Sequence, residues 1–160
     1  MLKVCFVCHG NICRSPLAEY LFKYLINKDD LNDKFIVISR ATSTEEIGSD
    51  IYPPIKRELD KNKIPYDRHY ATQISEIEMK EYDYIIVMDK YNLSSLKTRF
   101  SSTYRHKIHL LKEYSGTSND VIDPWYSRDF TRAYNDIYDG LVAFLSFLKE
   151  NEPILRQELL

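Results

Sequence analysis

Residues 2–17 read LKVCFVCHGNICRSPL, and no other stretch restricts the fold as strongly. LKVCFV (2–7) is a short apolar run that breaks at His-Gly-Asn, the pattern of a buried strand entering a turn. SPLAEYLFKYLIN (15–27) then places Leu17, Ala18, Leu21, Tyr24 and Leu25 at helical spacing, with Pro16 where a first helical turn tolerates it. A buried strand, a seven-residue loop and a helix in immediate succession call for a parallel sheet with helices packed on it. The rest of the chain repeats the alternation. FIVIS (35–39), DYIIVMD (83–89) and KIHLL (107–111) read as strands, and 54–63 (closed by Pro65), 91–100 and 129–150 as helices. In the last helix Ala133, Ile137, Leu141, Phe144, Leu145 and Leu148 share one face. The expected fold is α/β: a three-layer, four-stranded parallel sheet with helices on both faces, a single domain over 1–160, and its binding loop after the first strand.

Partners are narrowed by charge and composition. A net charge of −2 over 160 residues argues against a dedicated nucleic-acid binder. No apolar run approaches the length of a membrane span, and MLKVCFVCHG lacks the layout of a secretory signal. The three cysteines, Cys5, Cys8 and Cys13, lie within nine residues, which suits reduced thiols in the cytoplasm rather than a disulfide framework.

In open α/β sheets, ligands sit beyond the carboxyl ends of the strands. Here the loop from Cys8 to Ser15 occupies that place and runs into a helix N-terminus, whose free N–H groups and partial positive charge suit an anion. Gly10 and Asn11 are the types best able to take left-handed conformations that curl amides inward. Arg14 can hold a phosphate by paired hydrogen bonds in one plane. Cys8 would lie beneath the phosphorus, where amides and guanidinium stabilise a thiolate and are expected to lower its pKa below the free value of about 8.5. A thiolate beside a phosphate ester is a nucleophile for phosphoryl transfer, and Ser15 would donate a hydrogen bond to it. Competing readings are weaker. Cys8, His9 and Cys13 offer three metal ligands at odd spacing, without a second pair. Cys5-Phe-Val-Cys8 has redox-motif spacing, but Cys5 falls on the opposite side of the strand and reads as core.

VCHGNICRSPLAE (7–19) resembles the signature of the low-molecular-weight protein tyrosine phosphatase family. The resemblance continues through SRATSTEEIG (39–48), HYATQI (69–74), YIIVMDKYNL (84–93) and DPWY (123–126), covering nearly the whole chain in order. It implies a cysteine-dependent phosphatase needing no metal or cofactor, acting on phosphotyrosine in proteins or peptides, inhibited by phosphate or vanadate, and a monomer or weak dimer. Cys8, Arg14 and Asp123 would be catalytic, with Asp123 as general acid and then base. On residues alone, an ordinary Asp-Pro turn accounts for Asp123 at least as well. His9, Gly10, Asn11, Ile12, Cys13 and Ser15 would surround the substrate phosphate, with Trp125 and Tyr126 lining the cleft. Asn11, Ser39 and His69 would brace the loop, although each also passes as a turn, strand-end or surface residue. Asp89 matches an acidic residue near the mouth, and a strand-end turn explains it equally. Cys13 would form a reversible disulfide with Cys8 under peroxide, or simply pack behind the loop as a small apolar group. His106 and His109 read as structural.

Departures from the family pattern fall at the rim. Glu45 stands where the animal-type pattern has an aromatic, and His9 replaces an aliphatic residue. Glu45 should disfavour acidic flanks in a substrate. Of the rival functions, arsenate reductases use further cysteines downstream, and none follows Cys13 here. Protein-arginine phosphatases have a threonine where this chain has Ile12. A silent phosphopeptide-binding module would lack Cys8, Arg14 or Asp123.

Overall fold

The computed structural model describes residues 1–156, so the last four residues of the expected 1–160 unit lie outside the described part. Four strands, β1 (Leu2–Cys8), β2 (Phe35–Ala41), β3 (Tyr84–Val87) and β4 (Ile108–Leu110), form one sheet in the order β2-β1-β3-β4. All neighbouring pairs are parallel. Among the described residues the helices are α1 (Arg14–Lys28), α2 (Pro53–Lys61), α3 (Glu76–Glu81), α4 (Lys90–Arg99), α5 (Pro124–Ser127) and α6 (Phe130–Asn151).

Alternation along β1 divides the core. Val4, Phe6 and Cys8 face one side, where Leu17, Leu21 and Phe22 of α1, Ile55 and Leu59 of α2, and Ile137, Leu141 and Phe144 of α6 pack. Phe6, Phe22 and Phe144 form an aromatic cluster with centroids 5.5–6.3 Å apart. Cys5 and Val7 face the other side, against Met79 of α3, Leu96 of α4 and β4. Cys5 and Cys8 therefore lie on opposite faces of the sheet, and the C-x-x-C spacing carries no redox pair. Helices cover both faces, as the apolar strands require.

α3 is not foreseen from periodicity, because six residues are too few to show it. Its start is nonetheless encoded: Ser75 Oγ accepts the Glu78 N–H while the Glu78 carboxylate accepts the Ser75 N–H. Between β4 and α6 lie a short 3₁₀ turn, Leu111–Ser115, and α5. Among the described residues no helix is long and apolar enough to cross a membrane.

The strand order positions the site. From β1 the chain goes through α1 to β2 on one side, then crosses to β3 on the other. The exits of β1 and β3 consequently diverge at the carboxyl edge, opening the crevice where α/β sheets bind ligands. Val7 pairs with Val87, so Cys8 and Met88 leave the sheet side by side.

Candidate active site

The loop between β1 and α1 is turned inside out relative to ordinary backbone. Three carbonyls of this stretch are taken by donors from other segments: Cys8 O by Thr42 N (2.9 Å), His9 O by Ser43 N (3.1 Å), and Ile12 O by Tyr52 N (2.9 Å). Asn11 O faces His69 Nε2 at 2.7 Å. A carbonyl only accepts, so His69 is protonated on Nε2. Among the described residues the N–H groups of 9–14 meet no protein acceptor, which leaves them for an anion at the start of α1. Asn11 alone is left-handed in this loop, with φ 59. The expectation that Gly10 is left-handed too is not met, and a Cβ at Gly10 would make only ordinary contact, 3.5 Å from Glu46 Cγ.

Asn11 suits its position because the left-handed backbone buries an amide side chain that then works in three directions. Its Oδ1 accepts the Thr72 N–H (3.1 Å), and its Nδ2 donates to Ser15 Oγ (2.8 Å) and Ser39 Oγ (3.0 Å). Both amide hydrogens are thereby used. Ser39 sends its own hydrogen to Glu19 Oε1 at 2.7 Å, since a carboxylate only accepts. Ser15 Oγ, already accepting from Asn11, has its hydrogen free for Cys8 Sγ at 3.0 Å. The alternative, Arg40 O, is longer at 3.4 Å. The Ser15 N–H also points at Cys8 Sγ, 3.4 Å away. Hydrogen-bond polarity thus makes Ser15 a donor to the sulfur, as its expected role requires.

Arg14 is 2% exposed and joins three segments. Its Nη1 donates to Asp89 Oδ2 (2.8 Å) and Val121 O (3.0 Å), and its Nη2 to Asp123 Oδ2 (3.4 Å). Of five N–H donors, this leaves the Nε hydrogen and one on Nη2, adjacent on one edge, for a bidentate grip on an oxyanion. Burial works against the Arg14 charge, but Cys8, Asp89 and Asp123 around it outweigh burial and raise its pKa above the ordinary arginine value. Asp89 does more than end a strand. Its Oδ1 caps α4 through Asn92 N (2.8 Å) while its Oδ2 fixes the guanidinium.

Above the loop lies a cavity of about 420 Å³. Cys8, His9, Gly10, Ile12, Cys13 and Arg14 form its floor, Asp123, Trp125 and Tyr126 one wall, and Glu45 and Glu46 the opposite rim. Trp125 and Tyr126 are exposed at 45% and 83%, as residues waiting to cover a ligand would be. Asp123 caps α5, its Oδ1 accepting the Trp125 N–H at 3.0 Å, while its Oδ2 faces Arg14. A thiol beneath an anion cradle, an arginine fork and a carboxyl at the wall together can break a phosphate ester.

Residues 3–154 match the family described as low molecular weight phosphotyrosine protein phosphatase. The chain belongs to that family. It is a phosphatase. Among curated relatives, the Bacillus subtilis low molecular weight protein-tyrosine-phosphatase YfkJ is 33% identical over 156 residues, covering 96% of this chain and 100% of YfkJ. The structure of SP-PTP, a low molecular weight protein tyrosine phosphatase from Streptococcus pyogenes, superposes with a TM-score of 0.86. It is 38% identical and covers 95% of this chain and 96% of its own. A YwlE arginine phosphatase mutant with a phosphorylated active-site serine also has a TM-score of 0.86, at 26% identity, covering 96% of this chain and 99% of its own.

Several residues that shape this phosphatase's site carry no signal of that role in the sequence. Glu19 closes the hydrogen-bond chain and is 8% exposed. It lies one helical turn from Ser15, but nothing local links it to Ser39, twenty residues on. Asp50 accepts the His69 N–H (3.0 Å) and pairs with Lys56, so it places His69 under the loop. Burial opposes the Asp50 charge, but these bonds and the one from Ile51 N outweigh it and hold the carboxyl well below its usual range. Burial lowers the His69 pKa, only partly offset by Asn11 O, which keeps the ring neutral. Cys13 is buried, and burial, helped by the charges of Cys8 and Asp123, pushes its thiol up. At the rim, His9 Nε2 lies 3.0 Å from Glu45 Oε2, so the two departures from the family pattern contact each other.

Proposed function

We propose that this phosphatase hydrolyses phosphotyrosine in proteins through a phosphocysteine on Cys8. The Cys8 sulfur attacks phosphorus, an S–P bond forms and the ester P–O bond breaks, while Asp123 gives its proton to the leaving phenolic oxygen. Arg14 and the inward amides hold the three equatorial oxygens as charge spreads over them. Asp123, now ionised, takes a proton from water, whose oxygen attacks the phosphocysteine. The S–P bond breaks, with the Ser15 hydrogen bond receiving the sulfur's charge. The observation that carries this reading is the polarity of the loop: carbonyls bound outward, amides free inward, and a hydroxyl hydrogen aimed at Cys8.

The aryl preference rests on the cavity walls. Ile12 on the floor and Trp125 and Tyr126 at the side present apolar faces to a ring. Phosphoarginine is the second reading, favoured by the likeness to an arginine phosphatase and by Glu45 and Glu46, carboxylates that could meet a guanidinium. An arsenate reductase reading lacks its downstream cysteines, and a non-catalytic binding role lacks any loss of Cys8, Arg14 or Asp123 to support it. The reading extends to a cytoplasmic enzyme, monomeric or weakly dimeric, with vanadate and phosphate as competitive inhibitors. Side-by-side turnover of phosphotyrosine, phosphoarginine and phosphoserine peptides tests it. The expected order puts phosphotyrosine first in kcat/KM, with activity surviving EDTA and vanishing in Cys8→Ser. A higher kcat/KM for phosphoarginine would reverse the substrate assignment.

A further inference from the structure

We propose that Arg128 and Tyr52 form a latch that fixes the turn bearing Asp123 above the phosphate loop, making them positioning residues for protonation of the leaving oxygen. The inference rests on Asp123 being the general acid. Asp123 caps α5, a helix of only four residues, and so short a helix has little stability of its own. The turn leaves α5 at Arg128, whose backbone is left-handed (φ 59, ψ 16) and whose N–H donates to Pro124 O at 2.9 Å. A residue with a long side chain is disfavoured in that conformation, where glycine fits without strain. What the side chain contributes is visible. Arg128 Nη2 donates to Tyr52 Oη at 3.0 Å, and the guanidinium lies 5.0 Å from the Phe130 ring centre and 5.5 Å from that of Tyr52.

Tyr52 faces both halves of the site. Its backbone N–H donates to Ile12 O in the phosphate loop, and its ring lies 5.0 Å from that of Trp125, two residues beyond Asp123. A single half-buried residue therefore holds the loop by its backbone and the acid turn by its ring and hydroxyl. On the inner side Arg14 holds Val121 O and Asp123 Oδ2. Releasing the outer side would leave the cradle intact and let the carboxyl drift from the leaving group. An ångström of misplacement there is enough to slow proton transfer.

Arg128 is also an exposed cation near the cavity, so a loss of simple charge attraction must be told apart from loss of the latch. Tyr52→Phe changes no charge. Arg128→Lys keeps the charge and loses the planar fork that donates and stacks. Arg128→Gly relaxes the left-handed backbone while removing the latch. The assay is kcat/KM, which reports ester cleavage, on p-nitrophenyl phosphate, whose leaving group barely needs a proton, and on phenyl phosphate, whose leaving group does. Each variant is expected to lose roughly five- to twenty-fold on phenyl phosphate and less than about two-fold on p-nitrophenyl phosphate, a fraction of the ~10²–10⁴ that a general acid supplies. The inhibition constant of inorganic phosphate should not move, Arg128→Gly should melt no lower than wild type, and Tyr52→Phe with Arg128→Lys should be no worse than either alone. Equal losses on both substrates, or none, would overturn the latch. Asp123→Asn, run beside them, must show the largest phenyl-selective loss. Selectivity in Asp123→Asn but not in the latch variants sinks the latch alone, whereas its absence in Asp123→Asn removes the acid assignment as well.

Discussion

Replacing Glu19 with glutamine tests whether the hydrogen-bond chain runs one way, from carboxylate to sulfur. Ser39 Oγ donates to Glu19 Oε1 at 2.7 Å, with Ser39 1% and Glu19 8% exposed. A hydrogen bond to a charged group contributes about 1.5–3 kcal/mol and a neutral one about 0.5–1.5, so the exchange costs about 1 kcal/mol. Lys23 also pairs with Glu19, but its side chain is 44% exposed, and screening holds that loss to roughly 0–0.5 kcal/mol. A total near 1–1.5 kcal/mol corresponds to a melting temperature about 2–5 °C lower for a chain of this size. The larger consequence is directional. The amide put in place of the carboxylate can donate as well as accept, so Ser39 need not send its hydrogen outward. Asn11 is then free to relax, and Ser15 is no longer forced to aim at Cys8. Loss of about 1 kcal/mol of assistance to the sulfur appears as roughly a five-fold fall in kcat. Thermal unfolding and steady-state rates are measured for Glu19→Gln, Ser15→Ala and the double variant. The kinetic loss should disappear in the Ser15→Ala background while the thermal loss persists. An equal kinetic loss in both backgrounds would refute the chain.

Burial keeps His69 below its ordinary pKa of 6.5, so the folded state binds its proton less readily than the unfolded one. The stability it contributes is complete above about pH 6.5 and declines as pH falls toward the lowered native value. The stability advantage of wild type over His69→Gln, measured by urea unfolding, should therefore be largest near pH 8 and narrow below about 6.5. Asp89→Asn has one acceptor oxygen for two donors, so it keeps either the α4 cap from Asn92 N or a neutral bond from Arg14, and it removes the charge facing a buried guanidinium, with the Arg14 and Asp89 side chains 3% and 11% exposed. Removing a partner from such a pair costs about 3–5 kcal/mol, and because the amide nitrogen then faces a second donor the substitution should cost about that much, read as a lower melting temperature with a falling kcat/KM. Mild peroxide should yield a Cys8–Cys13 bridge by peptide mapping, protecting activity that dithiothreitol restores, whereas sulfinic Cys8 alone would count against a protective role for Cys13.

What is legible in the sequence is local. Cys8, Asn11, Arg14 and Ser15 sit on one strand–loop–helix unit, so their spacing and flanks suffice to predict the cradle, and the alternation of strands and helices suffices for the layers. Asp123 is 109 residues from Arg14, and only the family resemblance connects them in the sequence. Glu19, Tyr52, Asp50 and Arg128 act through contacts 19 to 76 residues apart in sequence. Taken one at a time they are a helix-surface glutamate, a tyrosine before a Pro-Pro helix start, and two charged loop residues. Gly10 departs from expectation because glycine permits a left-handed backbone without requiring one. Asn11 takes it because its buried side chain then has three partners.

The position of Asp89 follows from topology rather than from local chemistry. β1 and β3 are adjacent and parallel, so the residue after Met88 emerges beside the loop that follows Cys8. Val121 N donates to Met88 O at 2.8 Å, which seats the segment leading to Asp123 on that same exit. Arg14 meets Asp89 and Val121 with one nitrogen and Asp123 with the other, so a single buried guanidinium reads the position of two neighbouring segments while leaving one edge for the phosphate. A shift of the acid turn must therefore disturb the anion grip unless something outside Arg14 absorbs it. The Tyr52–Arg128 contact lies on the far side of the turn and holds it against such a shift. The two sides differ in kind: the inner contact couples acid position to phosphate binding, and the outer one governs acid position alone. For that reason the outer contact should separate leaving-group dependence from phosphate affinity, which no substitution at Arg14 can do.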